Sequence, residues 1–276
     1  MTSATPATLG TVVSVRRYPV KSMQGEELNA AWVTPRGLLG DRAWALVDAE
    51  TGKVVSAKNP KRWPTIFDFR SEFVEPTRPG ARLPPVRITL PDGTTATSTQ
   101  PDVEDLVSQA LSRRVHLTSS AAEQPVLEEY WPDMEEFPQR NTVTDEPIPA
   151  GSFFDGAPVH LLTTATLDRL RAAYPPGRFE VRRFRPNFVV RGTDDAPDFL
   201  EDRWVERTLA IGDEVQLRIW RRCPRCVMTT LPQVDLPADQ GILRTAAKEN
   251  EGFVGVYVTV VRPGLVRRGD SVRWGD

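Results

Sequence analysis

A chain of 276 residues, 39% hydrophobic and 26% charged, has the make-up of a globular protein of two domains or of one elaborate domain. Its net charge of −2 lacks the basic excess of a dedicated nucleic-acid binder, so any anion site must be a local cluster of Arg and Lys. Met1 to Gly10 has neither the basic nor the apolar character of a secretory signal, and no stretch approaches the ~20 apolar residues of a bilayer span. The expectation is a cytoplasmic protein with no membrane or nucleic-acid partner.

Most of the chain reads as strand. Thr11 to Val20, Ala30 to Thr34 and Ala43 to Val47 are short runs rich in Val, Trp, Leu and Tyr, broken by Gly and Pro. Val86 to Leu90 and Thr94 to Thr97 flank Asp92-Gly93, a pair that readily takes the positive φ of a hairpin turn. A helix follows, with Asp102 as its cap and Val103, Leu106, Val107, Ala110 and Leu111 on one face, then a short strand, Val115 to Thr118. Ser119 to Gly151 is rich in Glu, Asp and Pro and has no periodicity, so it reads as a connecting segment, its acidic run Glu128 to Glu136 as a solvated linker. The domain boundary falls there: one domain over 8–120, a second over 121–276.

The second half opens with a strand, Pro158 to Leu162. A helix follows, capped by Thr164 and stopped by Pro175 and Pro176. Strands are predicted at Asn187 to Arg191, Thr208 to Ile211, Val215 to Trp220, Gly255 to Val261 and Val266 to Trp274, with Ile211-Gly212-Asp213-Glu214 and Arg268-Gly269-Asp270-Ser271 as turns. Many short strands, tight turns and few helices predict a mainly β fold with a few helices (α+β), built as a barrel or sandwich. The alternation in Arg182-Arg183-Phe184-Arg185 would put Arg183 and Arg185 on one strand face.

The two cysteines, Cys223 and Cys226, are too few for a disulfide framework, and their spacing points to metal or redox chemistry. Arg221, Arg222 and Arg225 crowd around them, an arrangement expected to lower a thiol's pKa. Structural zinc needs four ligands, and neither His116 nor His160 has finger-like spacing to the pair. A thioredoxin-like dithiol gains reactivity from a long helix, which Pro232 disfavours. A further use, beside the dithiol and a pair of inert buried cysteines, is a single thiolate on a soft metal, with the second cysteine as neighbour or redox partner. The choice between the two cysteines is left open.

Arg225-Cys226-Val227-Met228-Thr229-Thr230 with Pro232 beyond, and Phe184-Arg185-Pro186-Asn187-Phe188 upstream, resemble signatures of the MOSC family. Tyr18-Pro19-Val20-Lys21-Ser22 and Gly40-Asp41-Arg42-Ala43-Trp44 resemble that family's amino-terminal β-barrel domain. The four motifs stand in the right order and together cover essentially the whole chain. The resemblance implies an amino-terminal MOSC-type β-barrel followed by a MOSC β-barrel, in an architecture similar to the mitochondrial amidoxime-reducing component and its bacterial counterparts. It further implies a molybdenum cofactor (Mo-molybdopterin), with Cys226 as metal ligand and catalytic residue. Lys21, Ser22, Arg42, Arg185 and Asn187 would hold the phosphate and pterin, with Arg225 and Thr229 as further contacts. Such residues suit an anionic, planar ligand. Arg grips phosphate oxygens as a rigid fork, Lys adds a point charge, and Asn offers a donor and an acceptor. Thr229 and Thr230 read equally well as plain strand residues.

The implied activity is reduction of N-hydroxylated or N-oxide small-molecule substrates by oxygen-atom removal at the metal; the alternative is a cofactor carrier or sulfur-transfer protein using a cysteine persulfide. With no cysteines beyond the pair, the sequence cannot ligate a plant-type iron–sulfur cluster, and no Gly-x-Gly-x-x-Gly follows a strand. Electrons are therefore expected from a separate donor, a protein or a small molecule.

Overall fold

The computed structural model describes residues 8–135, 139–193 and 198–275. Its centre is a closed ring of seven strands. Around the ring run Phe188–Gly192, Val159–Thr163, Phe253–Arg262, Val215–Pro224, Thr208–Ile211, Ser271–Trp274 and Thr8–Arg17, the last pairing back onto Phe188–Gly192. The fold is thus mainly β, with four α-helices among the described residues. Glu26–Leu28 extends the ring at Thr8–Arg17, and Ala30–Thr34 pairs with Gly264–Arg267. The first strands of the chain are therefore built into the sheet of its second half.

Alternation explains the ring. Along Val215–Pro224, Val215, Leu217 and Ile219 turn inward, where they join Val12, Val15, Leu209, Val256, Val258 and Val272 in one core. One neighbouring pair, Val159–Thr163 with Phe188–Gly192, is parallel and needs a crossover. The helix Thr164–Ala173 and the turn Val181–Phe184 supply it, and their apolar faces form a satellite core around Leu162, Leu170, Phe179 and Phe184. The rest of the first half has its own core, in which Met23, Leu46, Phe67, Phe69 and Ile88 pack with Val103, Val107 and Leu111 of the helix Val103–Leu111. Met228 and Leu231, just past the cysteine pair, pack against this core from the other half.

Five expectations change. The connecting segment contains an antiparallel hairpin, Val126–Trp131 with Thr142–Pro147. Its charged residues break the apolar alternation, but Glu128 and Glu129 are paired with Lys53 and Lys58, so this run is no solvated linker; Glu136 lies outside the described residues. The segment Arg182 to Arg185 is a helical turn ending in a left-handed Arg185 at φ 54, not a strand, because it closes the crossover. Thr163, not Thr164, caps its helix by accepting from the Thr166 amide. Asp102 makes no capping bond and accepts instead from Gln100. Finally, Val215–Pro224 runs past Trp220, so Cys223 sits within a strand.

Gly255 marks a tightly packed point of the ring. It sits in Phe253–Arg262 at φ 78, and a β-carbon there would strike the His160 ring and lie 2.7 Å from the Leu161 carbonyl. Gly255→Ala should therefore destabilise the protein by at least about 2 kcal/mol in urea unfolding, from backbone strain plus overpacking. An unchanged midpoint would refute this packing.

Candidate functional site

Cys226 follows the last residues of Val215–Pro224 and opens a 3-10 turn, Val227–Thr230. The turn is pinned on its carbonyl: the Thr229 amide donates to Cys226 O at 3.3 Å and the Thr229 hydroxyl at 3.1 Å. Two buried or half-buried guanidinium groups secure the segment on either side. Arg225 donates to Val254 O, to Phe184 O at 3.1 Å, and to a His160 ring nitrogen. Arg183 donates to the carbonyls of Thr229, Leu231 and Pro237. Unmet carbonyls in such surroundings are costly, so each guanidinium replaces the water these groups would otherwise need.

The thiol side of this turn faces a cavity of about 320 Å³ between the two halves of the chain. Arg42, Lys58 and Arg185 line it, with Glu129 and Asp155 as nearby counter-charges. Lys58 donates to Glu129 at 2.9 Å and lies 3.8 Å from Asp155. Burial opposes ionisation of Asp155, but Lys21 and Lys58 outweigh it and hold this carboxyl well below the usual range. Burial likewise opposes protonation of Lys58, yet Asp155, Cys226 and Glu129 together raise its pKa. Burial lowers Arg185 to about 10, with Arg42 nearby adding to the effect. The Arg185 guanidinium lies 4.2 Å from the Tyr18 ring centre and Arg42 lies 4.6 Å from it, so one aromatic ring carries two cations.

The expected activation of the cysteines by Arg221, Arg222 and Arg225 is not what the structure shows. Burial pushes the Cys226 thiol up to about 12; Glu129 adds to this and Lys58 opposes it. Burial raises Cys223 as well, against Arg225. The arginines are engaged elsewhere: Arg225 with carbonyls, Arg222 over the Phe253 ring, Arg221 over Trp220 and Tyr257. Cys226 lines the cavity, whereas Cys223 is buried and does not.

The other sequence-predicted residues separate by what their polar atoms do. Arg42, Arg185 and Thr229 line the cavity. Arg42 donates to Asp41 at 2.5 Å, and Arg185 to Met23 O at 2.7 Å. Asn187 also lines it, and its Oδ1 accepts from the His160 amide while its Nδ2 donates to Arg16 O, so it staples the barrel at the cavity wall. Arg225 lines the cavity as well, with N–H groups on Val254 O, Phe184 O and the His160 ring. Lys21 and Ser22 do not line the cavity. Lys21 is buried and donates to Phe153 O at 2.8 Å and Asp155 at 2.9 Å, acting on the cavity through Asp155. Ser22, at φ 67, accepts from the Ala57 amide. The structure adds Lys58, Glu129, Asp155 and His160, which sequence reasoning does not find. None sits in a motif; Phe153-Phe154-Asp155-Gly156, an acid beside aromatics, is the one local signal.

Among the described residues no group of three or more His, Cys, Asp or Glu is placed to hold a metal ion. A metal on Cys226 would bring its remaining ligands with it.

The MOSC N-terminal beta barrel domain model matches residues 9–124, and the MOSC domain model matches residues 149–273. The chain belongs to the MOSC family, with both of these domains in that order. It is 26% identical to Mitochondrial amidoxime-reducing component 1 of Homo sapiens, over 96% of this chain and 82% of that protein. Its identity is 25% to Mitochondrial amidoxime reducing component 2 of Rattus norvegicus and 28% to that of Homo sapiens, each over 96% of this chain and 83% of the relative.

The raised pKa of Cys226 has a measurable consequence in protein stripped of any bound group. Its alkylation by iodoacetamide, followed residue by residue by mass spectrometry, should rise about tenfold per pH unit from roughly 8 to 10 without levelling. A plateau below about pH 9 would show an activated thiolate instead.

Proposed function

We propose that this protein is a molybdenum cofactor-binding oxidoreductase that reduces N-hydroxylated or N-oxide compounds. The observation that carries this reading is the placement of one thiol, Cys226, in the same cavity as Arg42, Lys58 and Arg185. The donor set suits the group: a soft sulfur ligand for the metal, and guanidinium and ammonium groups for an anionic phosphate-bearing body. When bound, the cofactor supplies a two-electron centre able to accept oxygen from an N–O bond. Membership of the MOSC family and the names of the relatives support a molybdenum cofactor-related role.

The chain's own residues then have distinct roles. Cys226 is the metal ligand, its direction set by the Thr229 hydroxyl and amide on its carbonyl. Arg42 and Arg185 provide fixed positive charge against the shared Tyr18 ring. Lys58 faces the thiol side and favours its deprotonated form, and Glu129 and Asp155 keep the ammonium in place. His160 stays neutral, because burial and then the Arg225 charge lower its pKa well below the ordinary value. A neutral imidazole can accept from Arg225 and so hold the segment before Cys226. Electrons reach this site from a separate donor.

The carrier alternative, a persulfide on Cys226 resolved by Cys223, draws less support from the geometry. Cys223 is buried in the strand and its thiol lies 3.8 Å from Pro224 O, away from the cavity lining.

Cofactor-loaded wild type should reduce benzamidoxime with a chemical electron donor, and Cys226→Ser should lose at least about 100-fold of that rate. Full cofactor retention without turnover of amidoxime, hydroxylamine or N-oxide would overturn the reductase reading.

A further inference from the structure

The cavity beside Cys226 is lined by four carboxylates, and three of them have a cation. Glu129 is paired with Lys58 and Asp155 with Lys21, each at 2.9 Å, and Glu251 with Arg222 at 3.0 Å. Glu146 lines the same cavity, and among the described residues no cation lies within ion-pairing distance of it.

This carboxylate is nonetheless held. Thr144 and Glu146 are two residues apart on the strand Thr142–Pro147, so both side chains leave on one face, and both are half-buried while their neighbours are exposed. Trp131, opposite on the hairpin, donates its indole N–H to the Thr144 hydroxyl at 2.9 Å. The Thr144 hydroxyl in turn donates to Glu146 Oε1 at 2.7 Å. The relay fixes the carboxylate and, among the described residues, leaves Oε2 without a partner. Trp131 and Phe154 add apolar lining to the same cavity. An oriented, unpaired carboxylate is poorly suited to an anionic ligand, which the cations Arg42, Lys58 and Arg185 serve.

We infer that Glu146 forms a subsite for a planar cation, an amidinium or guanidinium, whose parallel N–H groups match a carboxylate. Resting on the function proposed above, this makes Glu146 a specificity-determining residue. N-hydroxylated substrates that bear such a cationic group are preferred over neutral or anionic ones.

Binding tests the subsite without turnover. Benzamidine and its neutral counterpart benzamide are titrated calorimetrically into the protein as purified, with molybdenum measured on the same samples. Wild type should bind benzamidine at least about tenfold tighter than benzamide. Glu146→Gln, which keeps an acceptor for Thr144, should abolish that preference while its melting temperature stays that of wild type. Equal affinities, no benzamidine binding, or a preference that survives in Glu146→Gln would overturn the subsite, whatever the molybdenum content. The wild-type comparison decides the matter even if the variant does not fold. Absence of molybdenum beside an intact charge preference would instead fault the cofactor reading alone.

Discussion

The guanidinium of Arg225 lies where three parts of the chain meet, and its N–H groups go to Val254 O, Phe184 O and the His160 ring. This single side chain joins the strand Phe253–Arg262, the crossover turn Val181–Phe184 and the strand Val159–Thr163 to the residue that follows it, Cys226. Without it, two carbonyls would be left unmet in a half-buried place, at roughly 1–3 kcal/mol each. Arg183 does the same for the carbonyls beyond the cysteine. The thiol therefore sits on a segment that cannot drift, as a metal ligand must.

That rigidity extends across both halves of the chain. Met228 and Leu231 carry the turn after Cys226 onto the core of the first half, while Thr8–Arg17 closes the barrel of the second. Asn187 secures this closure by bridging Arg16 O and the His160 amide. The cavity lies in the seam, with Arg42 and Lys58 from the first half facing Arg185 and Cys226 from the second. Part of its charge is balanced locally, Lys58 by Glu129 and Arg42 by Asp41, in a confined space where unpaired charges would be expensive. Glu146 stands outside that balance and gives the cavity its one unanswered carboxylate among the described residues.

Strands are legible in the sequence wherever the pattern is clean: Ala30–Thr34, Val115–Thr118 and, in the barrel itself, Thr208–Ile211 lie where their patterns place them. The hairpin Val126–Trp131 with Thr142–Pro147 is hidden, because charged residues such as Glu128 and Glu129 occupy strand positions and are satisfied by Lys53, Lys58 and Asn59, far away in sequence. Cys226 and Arg185 are visible through family resemblance. The commitments of Asn187 and Arg225 to backbone groups are not, since residue type does not say which acceptor is nearest. The cysteines show the same gap. Arginines adjacent in sequence suggest activated thiols, whereas in space they serve carbonyls and aromatic rings, and burial prevails.

Cys226 alone among the protein's groups is proposed to bind the metal. X-ray absorption at the molybdenum edge, on cofactor-loaded wild type, Cys226→Ser and Cys223→Ser, tests this most directly. One sulfur should be lost from the coordination shell in Cys226→Ser, with the shell of Cys223→Ser matching wild type. Loss of that sulfur in Cys223→Ser, or an unchanged shell in Cys226→Ser, would contradict it.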